Sequence, residues 1–188
     1  MKKVLIVMLM ALMSSMVMAQ DEVLSYSEVI QVEGASAMDL YKNARNWMAR
    51  TYGSSKEVIE YDQAGEEITG NGLIPFTVGN ITWAFISGRI RYVVNMKFRD
   101  GRYKVTVDNF RHESTDARFP ETKSAYLLYR ASSEKEIDSW TKGAFEKKSF
   151  RKLYKEVYKR ALPLCEAEAK KIIEGVKSSS IQKVEDDW

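Results

Sequence analysis

Six cations on one short stretch, Arg89, Arg91, Lys97, Arg99, Arg102 and Lys104, come nearest to a built site in this chain of 188 residues. They fall at alternate positions on either side of Asp100-Gly101, the strongest short-range signal for a two-residue hairpin turn. Folding there sets Lys97 across from Lys104 and Arg99 across from Arg102, with Arg91 and Arg89 further along the same face. Like charges directly opposed in a sheet repel. Acidic side chains of a neighbouring strand, such as Glu66 and Glu67, or plain solvation would offset them. Otherwise the face binds an anion: a glycan acid, a phosphate or a lipid headgroup. A second basic run, Lys147, Lys148, Arg151, Lys152, Lys155, Lys159 and Arg160, outnumbers Glu146 and Glu156 and lies opposite Phe150, Leu153 and Tyr154. It reads as a basic amphipathic helix, with either an ordinary solvated face or a weak contact to an anionic membrane surface or a partner protein.

Catalytic chemistry is harder to find. The single histidine, His112, stands between Arg111 and Glu113 with no Gly-x-Ser-x-Gly elbow, and reads as an exposed, structural residue near a strand end. Cys165, the single cysteine, cannot close an internal disulfide and sits at an apolar helical position, so a buried, inert thiol is expected. One His and one distant Cys do not make a zinc site. There is no phosphate loop or dinucleotide fingerprint, and Gly70-Asn71-Gly72 is too short for a phosphate cradle. No metal and no cofactor are expected. Acidic residues are numerous enough that a carboxylate pair of the glycosidase kind stays open.

The N-terminus carries an address. Lys2 and Lys3 precede the apolar run Val4–Met13, and Val17-Met18-Ala19 supplies small residues before Gln20. This is the layout of a secretory signal peptide over 1–19, and the apolar run is short for a membrane span. No cysteine stands at the cleavage position to take a lipid. The expectation is a soluble exported protein, periplasmic or extracellular, that starts at Gln20. Losing Lys2 and Lys3 brings the formal charge from +3 to +1. Nothing global then calls for a polyanion, and no nucleic-acid partner is expected.

The elements that must position these residues follow from periodicity. Tyr26–Val32 reads as a strand ending at Gly34. Ser36-Ala37-Met38-Asp39 is a capping box. It opens a helix with Met38, Tyr41, Ala44, Arg45 and Met48 on one stripe, widened by Leu40, Trp47 and Thr51, and stopped at Gly53. Glu57–Tyr61 and Glu67–Ile74 are strand candidates, the second holding Gly70 and Gly72 as a bulge or a close backbone approach. Pro75, Gly79 and Asn80 mark a loop, after which Trp83 and Phe85 read as core. In the hairpin, Phe98 pairs with Tyr103, Met96 with Val105 and Val94 with Val107, all apolar and on one face, so turn chemistry and period-2 pattern give the same register. Residues 115–148 read as an irregular connector. Residues 149–177 form a long helix that Pro163 should kink or split, and 178–188 a mobile tail. A single sheet with helices on one face buries every apolar stripe.

The run Leu40-Tyr41-Lys42-Asn43-Ala44-Arg45-Asn46-Trp47, followed by Ser54 to Asp62, resembles a family of exported Bacteroidetes proteins of unknown function with a TATA-binding-protein-like fold. The Asp100-Gly101-Arg102-Tyr103 turn and the Asp186-Asp187-Trp188 ending fit it too. The resemblance covers roughly 26–114. It implies an α+β fold, a curved antiparallel sheet of about five strands backed by helices, and it implies no activity. The organisation expected is a signal peptide over 1–19, a β-α-β-β-β-β domain over 20–114, a connector, the late helix and a tail. The leading functional expectation is a non-catalytic exported domain that binds a ligand or envelope partner through its sheet face or loops. The alternatives are a carboxylate-dependent hydrolase of glycan or envelope material, and an accessory protein on a membrane surface.

Overall fold

The computed structural model describes residues 23–52, 58–116, 126–128, 130, 134–144 and 147–181. The expected signal segment, the helix stop at Gly53, part of the connector and the last seven residues lie outside these. The elements run β1 (Tyr26–Gln31), α1 (Ala37–Tyr52), β2 (Ile59–Gln63), β3 (Glu67–Phe76), β4 (Gly88–Arg99), β5 (Arg102–Ser114), β6 (Tyr126–Leu127), α2 (Glu134–Ala144) and α3 (Lys148–Ile181). The strands form one antiparallel sheet in the order β1-β5-β4-β3-β2, and β6 pairs with β5 beyond the end of β1.

The hairpin has the register that its sequence predicts. Phe98 opposes Tyr103, Met96 opposes Val105 and Val94 opposes Val107. Gly101 takes the left-handed conformation (φ 74°) that the turn requires. These six side chains are buried with Ile68, Ile90 and Tyr92 beneath α1 and α3. Full burial of an aliphatic or aromatic side chain of this size contributes about 1.5–3 kcal/mol. From α1 the core receives Leu40, Tyr41, Ala44 and Met48, and from α3 Leu153, Val157, Ala161, Cys165, Ala169, Ile172 and Val176. Met38, expected on the inner stripe, is exposed at the first turn.

Local chemistry fixes the elements to one another. Ser36 Oγ accepts the Asp39 N–H (3.1 Å), the N-cap bond of a capping box, and donates to the Asp39 carboxylate (2.6 Å) rather than leaving it to the Ser36 N–H. The Asp100 carboxylate accepts the Ala37 N–H (2.8 Å), so the hairpin turn also caps α1. Gly72 lies opposite Tyr92, whose ring fills the space over it. This is the close approach that the paired glycines suggested.

Further expectations are corrected. His112 is fully buried rather than exposed. Beyond Val107 the alternation changes phase: Val93 opposes Asp108, but Arg91 opposes Arg111, so β5 holds one extra residue there. Asn109, at φ 53°, absorbs it. Phe110, His112 and Ser114 consequently turn inward, while Arg111 and Glu113 turn outward. His112 Nε2 donates to the Ile86 carbonyl (2.7 Å), and its ring meets Phe76 edge-on. Secondly, Pro163 does not split the late helix: α3 is one 34-residue helix that contains it. Pro163 is on the exposed side, where water can satisfy the carbonyl it leaves unpaired. Thirdly, α3 continues through Ser178–Ser180, and Ser180 Oγ donates to the Tyr103 hydroxyl (2.8 Å) and so ties the helix end to the hairpin. Within the stretch read as a connector, β6 and α2 are formed.

Candidate functional site

The face of the sheet turned away from α1 and α3 carries the six hairpin cations, and the bulge divides them. At the far end Arg89 and Arg91 lie beside Glu113, at 2.8 Å and 2.9 Å. Partial burial would raise the Glu113 carboxyl, but the bonds from Arg91 and Arg89 outweigh it and hold the group below the usual carboxylate range. These two arginines share one carboxylate because the extra residue at Asn109 brings Glu113 outward beside them. They stand eight to ten residues along β4 from the turn, roughly 25–35 Å.

At the turn end the other four converge. Lys97 opposes Lys104 and Arg99 opposes Arg102, as their spacing predicts. With Val29 and Tyr103 they line a hollow of about 240 Å³. Glu67 approaches Lys97 at 3.6 Å, the offset expected from the neighbouring strand. Glu66 instead accepts from Gln63. Asp100, the carboxylate nearest in sequence to the two arginines, is committed to the α1 N-terminus. Among the described residues Arg99, Arg102 and Lys104 have no ion-pair partner. Four cations thus meet one carboxylate, around a floor formed by Val29 and the aliphatic stems of the basic side chains.

Sequence reasoning missed Val29. Val29 and Ile30 are adjacent β-branched residues, and either could face the core. The register places Ile30 opposite Tyr103 inside and Val29 opposite Lys104 outside, and Val29 is 51% exposed. It also lies on an open edge. Val32 N–H donates to the Gly101 carbonyl, so even-numbered positions of β1 bond toward β5, and the backbone groups of Ser27, Val29 and Gln31 point away from the sheet.

A second cleft, of about 590 Å³, lies between β1 and α3 and gathers Glu28, Glu166 and Glu174. A carboxylate hydrolase would be sought here. Glu28 pairs with Lys177 at 3.1 Å and Glu174 with Lys170 at 3.9 Å, so two of the three carboxylates are held as ion pairs. Tyr26 at its margin is pushed up to about 12, by burial first and by the neighbouring Cys165 and Glu166 second. Among the described residues no three His, Cys, Asp or Glu side chains are grouped to hold a metal ion. No described helix is long and apolar enough to cross a membrane. Cys165 is buried, as expected, and burial pushes its thiol up to about 12.

The late basic helix does not present an apolar face. Leu153, Tyr154, Val157 and Tyr158 are all buried against the sheet side. Its cations remain outside, with Lys155 bonded to Asp138 and Arg160 to Glu156.

Residues 26–113, with this strand order and this capped first helix, match the family model described as a domain of unknown function (DUF4468) with TBP-like fold. Over that stretch the chain is similar to this family. Solved structures extend the likeness beyond residues 26–113. A TBP-like protein from Parabacteroides distasonis is 11% identical, with a TM-score of 0.50 over 85% of this chain and 96% of its own. A DUF4468 family protein from Bacteroides ovatus is 13% identical, with a TM-score of 0.52 over 90% of this chain and 93% of its own. Such coverage reaches well past residue 113, so the shared α+β fold includes structure after that stretch. At these identities the likeness is one of fold, and a fold does not carry an activity with it. No match was found among curated proteins.

Proposed function

We propose that this protein is a non-catalytic, exported binding module whose DUF4468-like domain takes an anionic group, a carboxylate or a phosphate, in the hollow at the hairpin end. One observation carries the reading: Lys97, Arg99, Arg102 and Lys104 surround a concave, partly apolar floor and meet only Glu67 among the described carboxylates. Arginine forks suit two-oxygen recognition of such groups, and the lysines add point charge. Holding four cations together raises the free energy of the empty site, and a bound anion relieves it. The apolar floor suits a ligand whose charged group is attached to a sugar or hydrocarbon body. The proposal includes export, which rests on the tripartite layout of residues 1–19.

The test is an NMR titration of isotopically labelled protein with inorganic phosphate and with glucuronate, using glucose as the uncharged control. Both anions are expected to shift the backbone amides of 97–104 and of Val29, and glucose is not. Arg102→Ala with Lys104→Ala should abolish the shifts while leaving the melting temperature equal to or above that of the wild type, since both side chains are exposed and their removal relieves repulsion. Shifts that persist in this double variant, or that are absent with both anions, would overturn the assignment.

A further inference from the structure

The opposite end of the sheet bears a feature that neither the fold nor the hollow accounts for. Between β3 and β4 the chain turns at Asn80–Trp83, where the Trp83 N–H bonds the Asn80 carbonyl (3.0 Å) and the Thr82 N–H bonds the Asn80 side chain (2.8 Å). Ile81 stands at the tip of this turn and is 93% exposed, far above any other large apolar residue described. The loop is nevertheless rigidly based. His112 holds the Ile86 carbonyl, Ser114 Oγ holds the Phe85 carbonyl (2.8 Å), and Ser87 Oγ accepts the Val78 N–H (2.9 Å). Ile86 and Val78 are buried beneath it. Trp83 and Phe85, which the sequence places in the core, are half-buried with their rings 6.0 Å apart.

The start of α3 comes up beside this loop. Lys152 Nζ lies 5.8 Å from the centre of the Trp83 ring. Lys148, one turn earlier on the same face, and Lys159, two turns later, are exposed and have no ion-pair partner among the described residues. Lys147 lies over the Phe150 ring at 5.8 Å. A projecting isoleucine, a half-buried tryptophan and a group of lysines therefore share one end of the molecule. An aliphatic tip, an amphipathic aromatic and a cationic surround are what a charged bilayer surface requires: hydrocarbon below, headgroup level between, and lipid phosphates outside.

We infer that the turn around Ile81, with Trp83 and Lys148 and Lys152 of α3, is a seat for an anionic lipid bilayer. Ile81 enters the acyl boundary, Trp83 rests at headgroup level and the lysines meet lipid phosphates. The helix does not itself lie in the membrane, because its apolar stripe is already packed. A protein partner would call for a patch that it could bury more broadly, whereas here one apolar residue projects singly on a loop beside lysines of α3.

The test is flotation of the chain from Gln20 onward, the form that the proposed export leaves, with vesicles of phosphatidylcholine, with and without phosphatidylglycerol. The apolar run 4–13 then adds nothing to the partition. Partition is expected to rise with phosphatidylglycerol and to fall at high salt. Ile81→Asp should lower it about tenfold, from the loss of most of one aliphatic burial. Lys152→Gln should lower it about fivefold, the share of one cation at an anionic surface. Lys42→Gln, on the exposed side of α1 and in neither site, should leave it unchanged, as should every melting temperature. Equal partition onto both vesicle types, an Ile81→Asp variant that floats like the wild type, or a Lys42→Gln loss equal to that of Lys152→Gln would each overturn the inference. Repeating the flotation with Arg102→Ala and Lys104→Ala together separates this seat from the hairpin-end site: a loss there with none in Ile81→Asp would assign the lipid to the hairpin end and overturn the inference.

Discussion

An alanine at position 72 would put its methyl carbon inside the Tyr92 ring. A Cβ built on Gly72 falls 2.1 Å from Cζ of Tyr92 and 2.3 Å from its hydroxyl oxygen. The ring must therefore move by more than 1 Å to restore ordinary contact. Tyr92 has little room for this. It is 1% exposed, and its hydroxyl lies 3.3 Å from that of Tyr52 and 3.1 Å from the Glu168 carboxylate. Overpacking a core position costs about 1–3 kcal/mol, and each disturbed hydrogen bond about 0.5–1.5 kcal/mol. Alanine recovers roughly 0.5–1 kcal/mol through the lower backbone entropy of the unfolded chain. Gly72→Ala should thus destabilise by about 2–4 kcal/mol, a large fraction of the roughly 5–15 kcal/mol that holds a domain together. The assay is urea unfolding followed by tryptophan fluorescence. A double-mutant cycle isolates the cause. Tyr92→Leu removes the ring, and in that background Gly72→Ala should cost less than about 0.5 kcal/mol, a coupling well above the error of such cycles. Equal losses in the two backgrounds would refute the reasoning, as would a loss below about 0.5 kcal/mol in the wild type.

Asn109 holds the left-handed conformation that shifts the phase of β5, so Asn109→Val should destabilise by about 1–2 kcal/mol while Asn109→Gly stays within a few tenths, read by the same unfolding assay. His112 is held neutral because burial lowers its pKa, with the Ile86 bond and Glu113 only partly countering. The unfolded chain therefore binds the extra proton first. Stability should be level above about pH 6.5 and fall on acidification, with a slope approaching 1.4 kcal/mol per pH unit until the folded histidine also protonates. His112→Phe should flatten that part of the profile, and an unchanged slope would count against the assignment.

The hairpin was legible because two unrelated signals met there: the Asp100-Gly101 turn and apolar alternation on both sides. The same reasoning failed nine residues later. A bulge leaves no mark in polarity, and Asn109 is one of several residues that could have absorbed the extra position. Extending the alternation past Val107 puts His112 outside, and the structure puts it inside. The cationic hollow was half legible. The four cations could be placed by counting from the turn, but Val29 belongs to a strand some seventy residues earlier, and its neighbour Ile30 is equally apolar. Ile81 illustrates the opposite difficulty. In a run with Trp83, Phe85 and Ile86, apolar composition suggests burial. Only the Asn80 turn, fastened by side chains of β5, lifts one member of that run clear of the others.

The sheet order has a consequence for assembly. β2, β3, β4 and β5 are joined in sequence by local turns and can zip together as they emerge. β1 is made first, yet its partner β5 is made last among them. A chain delivered from its N-terminus must keep Val29 and Ile30 unpaired until the meander behind them is complete. The closing step is then the docking of that waiting strand. The bonds between Gly101 and the Ala35 and Val32 backbones act as the latch, joining the end of the waiting strand to the turn that opens β5.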